Sequence, residues 1–442
     1  MQIQNYQQAL DYLYSFLDTE KIMPRRSVEY NLPRTFALFE ATCNAHQHFP
    51  SIVVAGTKGK GSTSAFTESI LRQSGKKVGF WSSPHLHSYR ERIQIDRQPI
   101  SQADLIRHVQ AIKPLIDAFD VQTHGYPTVF ELGFLIAMRY FAEQQVDIAI
   151  IEVGLGGRYD TANAVTPILS VVASISYDHM AILGDTLTKI ASEKAGIFKP
   201  NIPAITCVQD PEAEAEIIRI AQETGTPLWI SADAPPQQHD GITRFDPFVQ
   251  HQGTHQLGLA GEFQIENARL ATGIALLLRQ QGWPISDQNI SDGLAQTQWP
   301  GRMELVAGQP NIVLDGAHNG DSAHKLIASL RQSYPNSKII LVLGMSNDKD
   351  ADRVLRELIP ASHALVLTRS RHPRAWSNLD TLEAQVRRFS EPSTQIVQTP
   401  DVPEAIEQAR ALAGPNDVIC VTGSLFVVAA GREVLGIAGE VD

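Results

Sequence analysis

The sequence runs to 442 residues, more than one hydrophobic core usually spans, and this predicts two domains. A hydrophobic share of 43% beside 19% charged residues is that of a packed chain rather than a disordered one. A net charge of −11 argues against non-specific nucleic-acid binding, while leaving room for a small anion in a local positive pocket.

The three cysteines, Cys43, Cys207 and Cys420, are far apart and match no metal spacing, so they read as reduced thiols. The opening stretch "MQIQNYQQALDYLYSFLD" has neither a basic n-region nor an apolar h-region. The apolar run "ELGFLIAMRYF" is too short and too interrupted to span a bilayer. The expectation is a cytoplasmic protein with no nucleic-acid or membrane partner.

In chain order, short apolar runs alternate with helical patterns. Strands are predicted at 51–56, 77–82, 147–154, 168–176 and 203–208, rich in Val and Ile with little polar alternation, as in strands covered on both faces. Between them, 128–145 carries apolar residues at helical spacing and predicts a buried crossover helix. A second helix over 262–282 ends at Gly282. The segment 228–258 reads as turns and short antiparallel strands. Pro300-Gly301 then breaks the pattern, and from 312 it restarts with "NIVLDGA", "KIILVLG", "HALVLTRS", "TQIVQT" and "DVICVTGS". The fold class is therefore α/β, with a parallel-sheet domain over 1–299 and a smaller Rossmann-like domain over 300–442.

The stretch "VVAGTKGKGSTSAF" (53–66) has the layout of a phosphate loop: strand, glycine-rich turn, helix. Backbone N–H groups and a helix N-terminus favour an anion there, and Lys60 would reach the β- and γ-phosphates. The strict G-x-x-x-x-G-K-[ST] pattern is not met. Val54 holds the first glycine position, Gly61 the hydroxyl position, and Ser62 is displaced by one. Magnesium beside the γ-phosphate needs oxygen or nitrogen ligands, and Ser83, Glu152 and His179 sit just beyond predicted strand ends. Ligands gather at the carboxyl ends of parallel strands, so these three could converge with Lys60. Arg302, directly after the Pro300-Gly301 break, could neutralise charge on a transferring phosphoryl group. His318 in "DGAHN" and Ser424 in "TGSLF" lie at strand ends of the second domain, and Arg369, Arg371 and Arg374 form a local basic cluster.

The loop "GTKGKGS" resembles that of the folate branch of the Mur ligase superfamily, the folylpolyglutamate and dihydrofolate synthetases. Further matches follow in order: "SSPHL" (82–86), "RERIQID" (90–96), "EVGLGGRYDTAN" (152–163), "DHMAILGDTLTKIASEKAGIFK" (178–199), "FQIENA" (263–268), "PGRMEL" (300–305), "DGAHN" (315–319) and "TGSLFVV" (422–428). The resemblance implies ATP and Mg2+ as cofactors, with Thr57, Gly59, Lys60, Gly61, Ser62, Asn267, Arg302 and Asp315 serving the nucleotide. It places magnesium on Ser83, Glu152 and His179, a carbamylated lysine at Lys194, and the incoming L-glutamate near His318 and Ser424. For the folate or dihydropteroate it points to Thr128, Phe130, Tyr159, Asp160, Thr161 and Ser424. Lys60, Lys194, Arg302 and His318 would act in catalysis.

The implied reaction passes through an acyl phosphate, with the active site a cleft that closes between domains. It leaves open whether dihydropteroate is also a substrate. Asp160 and its loop fit that double role, whereas Lys58 replaces the asparagine common in bacterial members. The rivals are a Mur-type ligase of another carboxylate and a nucleotide-dependent switch that ligates nothing. Glutamate-dependent ADP release separates the switch from a ligase.

Overall fold

The computed structural model describes residues 3–18, 31–347 and 349–442. Two units divide the chain. The first holds residues 1–85, 89–258 and 266–297, and the second holds 86–88, 259–265 and 298–442. The main break thus falls at 297/298, and two short segments group with the second unit in a way that a single cut in the sequence does not anticipate.

The first unit is built on a ten-stranded sheet. Its strands are β1 (Ser51–Ala55), β2 (Val78–Trp81), β3 (Ile93–Ile95), β4 (Gln98–Pro99), β5 (Ile148–Glu152), β6 (Leu169–Val172), β7 (Ala204–Cys207), β8 (Leu228–Ser231), β9 (Gln237–His239) and β10 (Ile242–Phe245). They lie in the order β4-β3-β2-β5-β1-β6-β7-β8-β10-β9. From β2 to β10 every pairing is parallel, and every residue of β1, β2, β5, β6 and β7 is buried. That burial explains the unbroken apolar runs, because a parallel sheet takes helices on both faces. The crossover helix Val129–Glu143 buries twelve of its fifteen residues, and its Phe134 packs edge-on to Trp81 in the core.

Two details differ from the sequence reading. Residues 228–231 form a parallel strand of the main sheet rather than part of an antiparallel excursion; only β9 and β10 pair antiparallel in that region. The "RERIQID" stretch supplies an antiparallel edge, β3 against β2 and β4.

The second unit carries a six-stranded sheet, β11 (Glu304–Val306), β12 (Asn311–Leu314), β13 (Ile339–Leu343), β14 (Ala364–Leu367), β15 (Gln395–Gln398) and β16 (Val418–Thr422), ordered β11-β12-β16-β13-β14-β15. All neighbours from β12 to β15 are parallel, and β11 is antiparallel. In the first sheet the order reverses around a central strand, β1, and chain exits at the carboxyl ends of parallel strands are where such sheets bind ligands. Among the described residues no helix is long and apolar enough to cross a membrane.

Candidate active site

The chain leaves β1 through Gly56 and turns at Gly59 into the helix Lys60–Gln73. Gly59 has φ +79° and is the helix N-cap, with no side chain to satisfy the first-turn amides. A helix start of this kind leaves N–H groups and the positive dipole end free for an anion. The glycine is required: a Cβ built on it would lie 2.3 Å from Asn267 Oδ1. Asn267 therefore lies against the loop. Gly61 is half-buried and Ser62 buried in the first turn.

The loop hangs on the exit of β6. Thr57 N and Lys58 N both donate to Ser174 O, at 2.9 and 3.1 Å. Thr57 Oγ1 donates to Ser176 O at 3.0 Å and accepts from Ser176 N at 3.2 Å. Two lysines then converge on one carbonyl: Lys60 Nζ lies 3.1 Å and Lys194 Nζ 2.9 Å from Gly56 O. Lys60 brings a positive charge to the loop, suited to phosphate oxygens, and Lys194 brings a second amine to the same acceptor.

Lys194 lies in the last turn of the helix Leu187–Ala195 and is only 4% exposed. Burial, reinforced by Lys60, pushes its ammonium from the ordinary 10.5 down to about 7, against the opposing pull of Asp178, Asp160 and Glu193. The helix end is pinned by the loop 154–163. Arg158 N donates to Glu193 O at 2.7 Å, and Arg158 Nη2 donates to Ser192 O at 3.0 Å.

Ser83, Glu152 and His179 follow the carboxyl ends of β2, β5 and β6, and with β1 these strands are four consecutive neighbours. Glu152 closes β5, 6% exposed, opposite Val54 of β1. His179, at φ +48°, begins the short helix Met180–Leu183 with its ring 3.9 Å from Asp178. Ser83 is half-buried.

The candidate folate residues carry structural work of their own. Thr128 caps the helix Val129–Glu143 in a reciprocal box with Glu131, whose carboxylate also accepts from Arg34 Nε at 2.9 Å on both oxygens. Phe130 is 9% exposed and packs edge-on to Trp81 at 5.4 Å, as a core aromatic does. Asp160 is 2% exposed; Oδ2 accepts from Gly154 N and Leu155 N, and Oδ1 from Ala162 N. Its carboxyl nonetheless rises to about 6, because burial outweighs those bonds. Both oxygens of Asp160 are thus engaged by backbone. Tyr159 is half-buried, and Thr161 is buried at the start of the turn Thr161–Ala164.

In the second unit Arg302, Asp315, His318 and Ser424 form a separate group. Asp315 Oδ2 accepts from Met303 N and Oδ1 from Ala317 N, both at 2.9 Å, and the residue is 5% exposed. It ties the Arg302 turn to the end of β12. Burial raises its carboxyl and Arg302 partly offsets that rise. His318 Nδ1 lies 2.8 Å from Gly316 O, which orients the ring. Ser424 caps the helix Leu425–Val434 through Phe426 N and is 5% exposed. Of the arginine cluster, Arg374 lies over the Phe426 ring at 5.7 Å, while Arg369 is exposed.

Sequence reasoning missed the shared acceptor at Gly56, the buried Arg34–Glu131 pair and Asp178. Only the second left a sequence signal, the T-x-x-E spacing of Thr128 and Glu131, which marks a capping box.

The Mur ligase middle-domain model matches residues 54–275 and the Mur ligase glutamate-ligase-domain model matches 301–425, so the chain belongs to the Mur ligase family. Within it, the chain is 36% identical to dihydrofolate synthase/folylpolyglutamate synthase of Bacillus subtilis over 86% of its own length and 89% of that protein's. It is 32% identical to folylpolyglutamate synthase of Lacticaseibacillus casei, covering 98% and 99% of the two chains. A folylpolyglutamate synthase of Mycobacterium tuberculosis complexed with ADP shares the fold with a TM-score of 0.86 at 27% identity, over 98% and 99% of the chains. Its place in the family is the folylpolyglutamate/dihydrofolate synthase branch.

Proposed function

We infer that this chain is an ATP-dependent ligase that joins L-glutamate to tetrahydrofolate, and to dihydropteroate as well, through an acyl phosphate. The observation that carries the reading is the glycine-rich turn into an uncapped helix N-terminus, with Lys60 Nζ held beside it on Gly56 O. Such a site is built for the phosphates of a nucleotide. A folate carboxylate oxygen attacks the γ-phosphorus, the bond to ADP breaks, and the acyl phosphate forms. The glutamate amine then attacks the acyl carbon, and the C–O bond breaks to release phosphate. No side-chain nucleophile is required, so positioning and charge neutralisation are the protein's contribution.

In this reading Lys60 holds the β- and γ-phosphates, with the amides of Gly59, Gly61 and Ser62 and the side chains of Thr57 and Asn267 around them. Arg302 neutralises charge on the transferring phosphoryl group, and Asp315 fixes the turn that carries it. Lys194, partly neutral near pH 7, can take up CO2 as a carbamate and become an anion. His318 and Ser424 receive the glutamate. Thr128, Phe130, Tyr159, Asp160 and Thr161 form the pterin side, with Asp160 acting partly through the backbone it holds.

Magnesium fits as a partner of the nucleotide rather than of the protein alone. Among the described residues no three His, Cys, Asp or Glu side chains form a metal-holding group. Glu152, Ser83 and His179 would supply a few donors, leaving the rest to phosphate and water as magnesium prefers. Bound there, the ion would neutralise phosphate charge. The resemblance to the folate branch suggests a monomer, which we take as the working unit. The three cysteines are free thiols, which suits the cytoplasm.

The test is ADP release by the purified protein with ATP, magnesium and L-glutamate, comparing dihydropteroate, tetrahydrofolate and no acceptor, with products weighed by mass spectrometry. Glutamyl addition to both acceptors is the expected result. Addition to tetrahydrofolate alone would remove the dihydropteroate half, and turnover with neither would overturn the folate reading.

A further inference from the structure

We propose that Gln209 is a positioning residue for the phosphate loop: its side-chain amide extends the sheet beyond β6 and so fixes the segment on which the loop hangs. β6 and β7 pair through Val172 and Thr206. Beyond that point Gln209, 8% exposed and two residues past β7, takes the place of a neighbouring peptide. Its Oε1 accepts from Ile175 N at 2.8 Å, and its Nε2 donates to Ala173 O at 3.1 Å. The other Nε2 hydrogen goes to Thr206 Oγ1 at 2.9 Å, and Cys207 Sγ lies 3.3 Å away. Thr206 Oγ1 can accept, because its own proton is donated to Val172 O. One amide thus pairs with the backbone as another peptide unit would, in register with β6.

The segment held in this way, 173–176, is the one that holds the loop. Ser174 O receives Thr57 N and Lys58 N, and Ser176 exchanges two hydrogen bonds with the Thr57 hydroxyl. Gly56 leaves little room for slippage, since a Cβ there would lie 2.9 Å from Ala173 Cβ. If 173–176 moves, the phosphate loop must move with it. Buried amides aligned on both sides hold such geometry more tightly than apolar packing alone.

The inference rests on the reading that residues 56–62 hold nucleotide phosphates, so the experiment measures nucleotide binding directly. ADP is titrated calorimetrically into the unsubstituted chain, Gln209→Met and Gln209→Glu, with melting temperatures and steady-state constants alongside. Methionine keeps the length and loses every hydrogen bond; glutamate keeps the acceptor for Ile175 N and loses both donors. The expected result is a Kd for ADP and a KM for ATP raised about tenfold in the methionine variant and less in the glutamate variant, with KM for L-glutamate within about twofold. A merely structural residue would lower the melting temperature without this selectivity. Unchanged ADP affinity in either folded variant, or equal losses for all substrates, overturns the proposal. Failure of the unsubstituted chain to bind ADP overturns the loop reading itself.

Discussion

In a Gly59→Ala variant, kcat/KM for ATP is expected to fall about 100-fold while the protein stays folded. Two effects add. Position 59 sits at φ +79°, where an L side chain costs roughly 1–2 kcal/mol. The new Cβ would also lie 2.3 Å from Asn267 Oδ1, and Asn267 is only 9% exposed, with little room to retreat. Either the helix Lys60–Gln73 shifts or Asn267 leaves, and each outcome disturbs a group assigned to the nucleotide. Calorimetric titration of ADP and steady-state ATP kinetics check this. A variant whose affinity and kcat/KM stay within about threefold of the parent would show that the loop tolerates displacement that phosphate binding should not allow.

The second large effect is at Lys194. Replacing it by methionine is expected to raise stability and lower kcat about 100-fold. The folded-state pKa is lowered from 10.5 to about 7. Between those values the unfolded chain holds a proton that the folded chain has released, so stability rises with pH across the window. Below pH 7 both states are protonated, and the full cost of burying the ammonium is present. Methionine removes that cost and also the bond to Gly56 O, for a net gain on the order of 2–4 kcal/mol at pH 6 to 7 that shrinks toward pH 10. Thermal melts in CO2-depleted buffer across this range test the sign. Activity of the unsubstituted enzyme is expected to respond to bicarbonate, because only the neutral amine takes up CO2. A variant that is less stable at pH 7 than at pH 10 relative to the parent, or one with unchanged kcat, would contradict the account.

What the sequence disclosed, and what it hid, follows from where each interaction is made. The central strands were legible because burial on both faces leaves an apolar run with nothing else in it, as in "SIVVA" and "IAIIE". The edge pair β3–β4 was not, because "RERIQIDRQP" carries charge at five of its ten positions and its strands are only three and two residues long. β8 is four residues long, too short for a periodicity to register. The phosphate loop was visible as a cluster of Gly and Lys even though it breaks the strict pattern by one residue. The environment of Lys194 was invisible, since the Gly56 carbonyl it meets lies 138 positions away in the chain. Asp160 and Asp315 were found by resemblance, yet their hydrogen bonds to backbone show that such carboxylates also hold the loops they belong to.

The central claim is that the folate carboxylate is activated by phosphoryl transfer before glutamate arrives. Tetrahydrofolate labelled with 18O in the carboxyl group to be extended, incubated with the enzyme, ATP, magnesium and L-glutamate, tests it most directly. If the acyl phosphate forms, each amide bond made delivers one labelled oxygen to inorganic phosphate. Label found in AMP, or unlabelled phosphate accompanying amide formation, would contradict it.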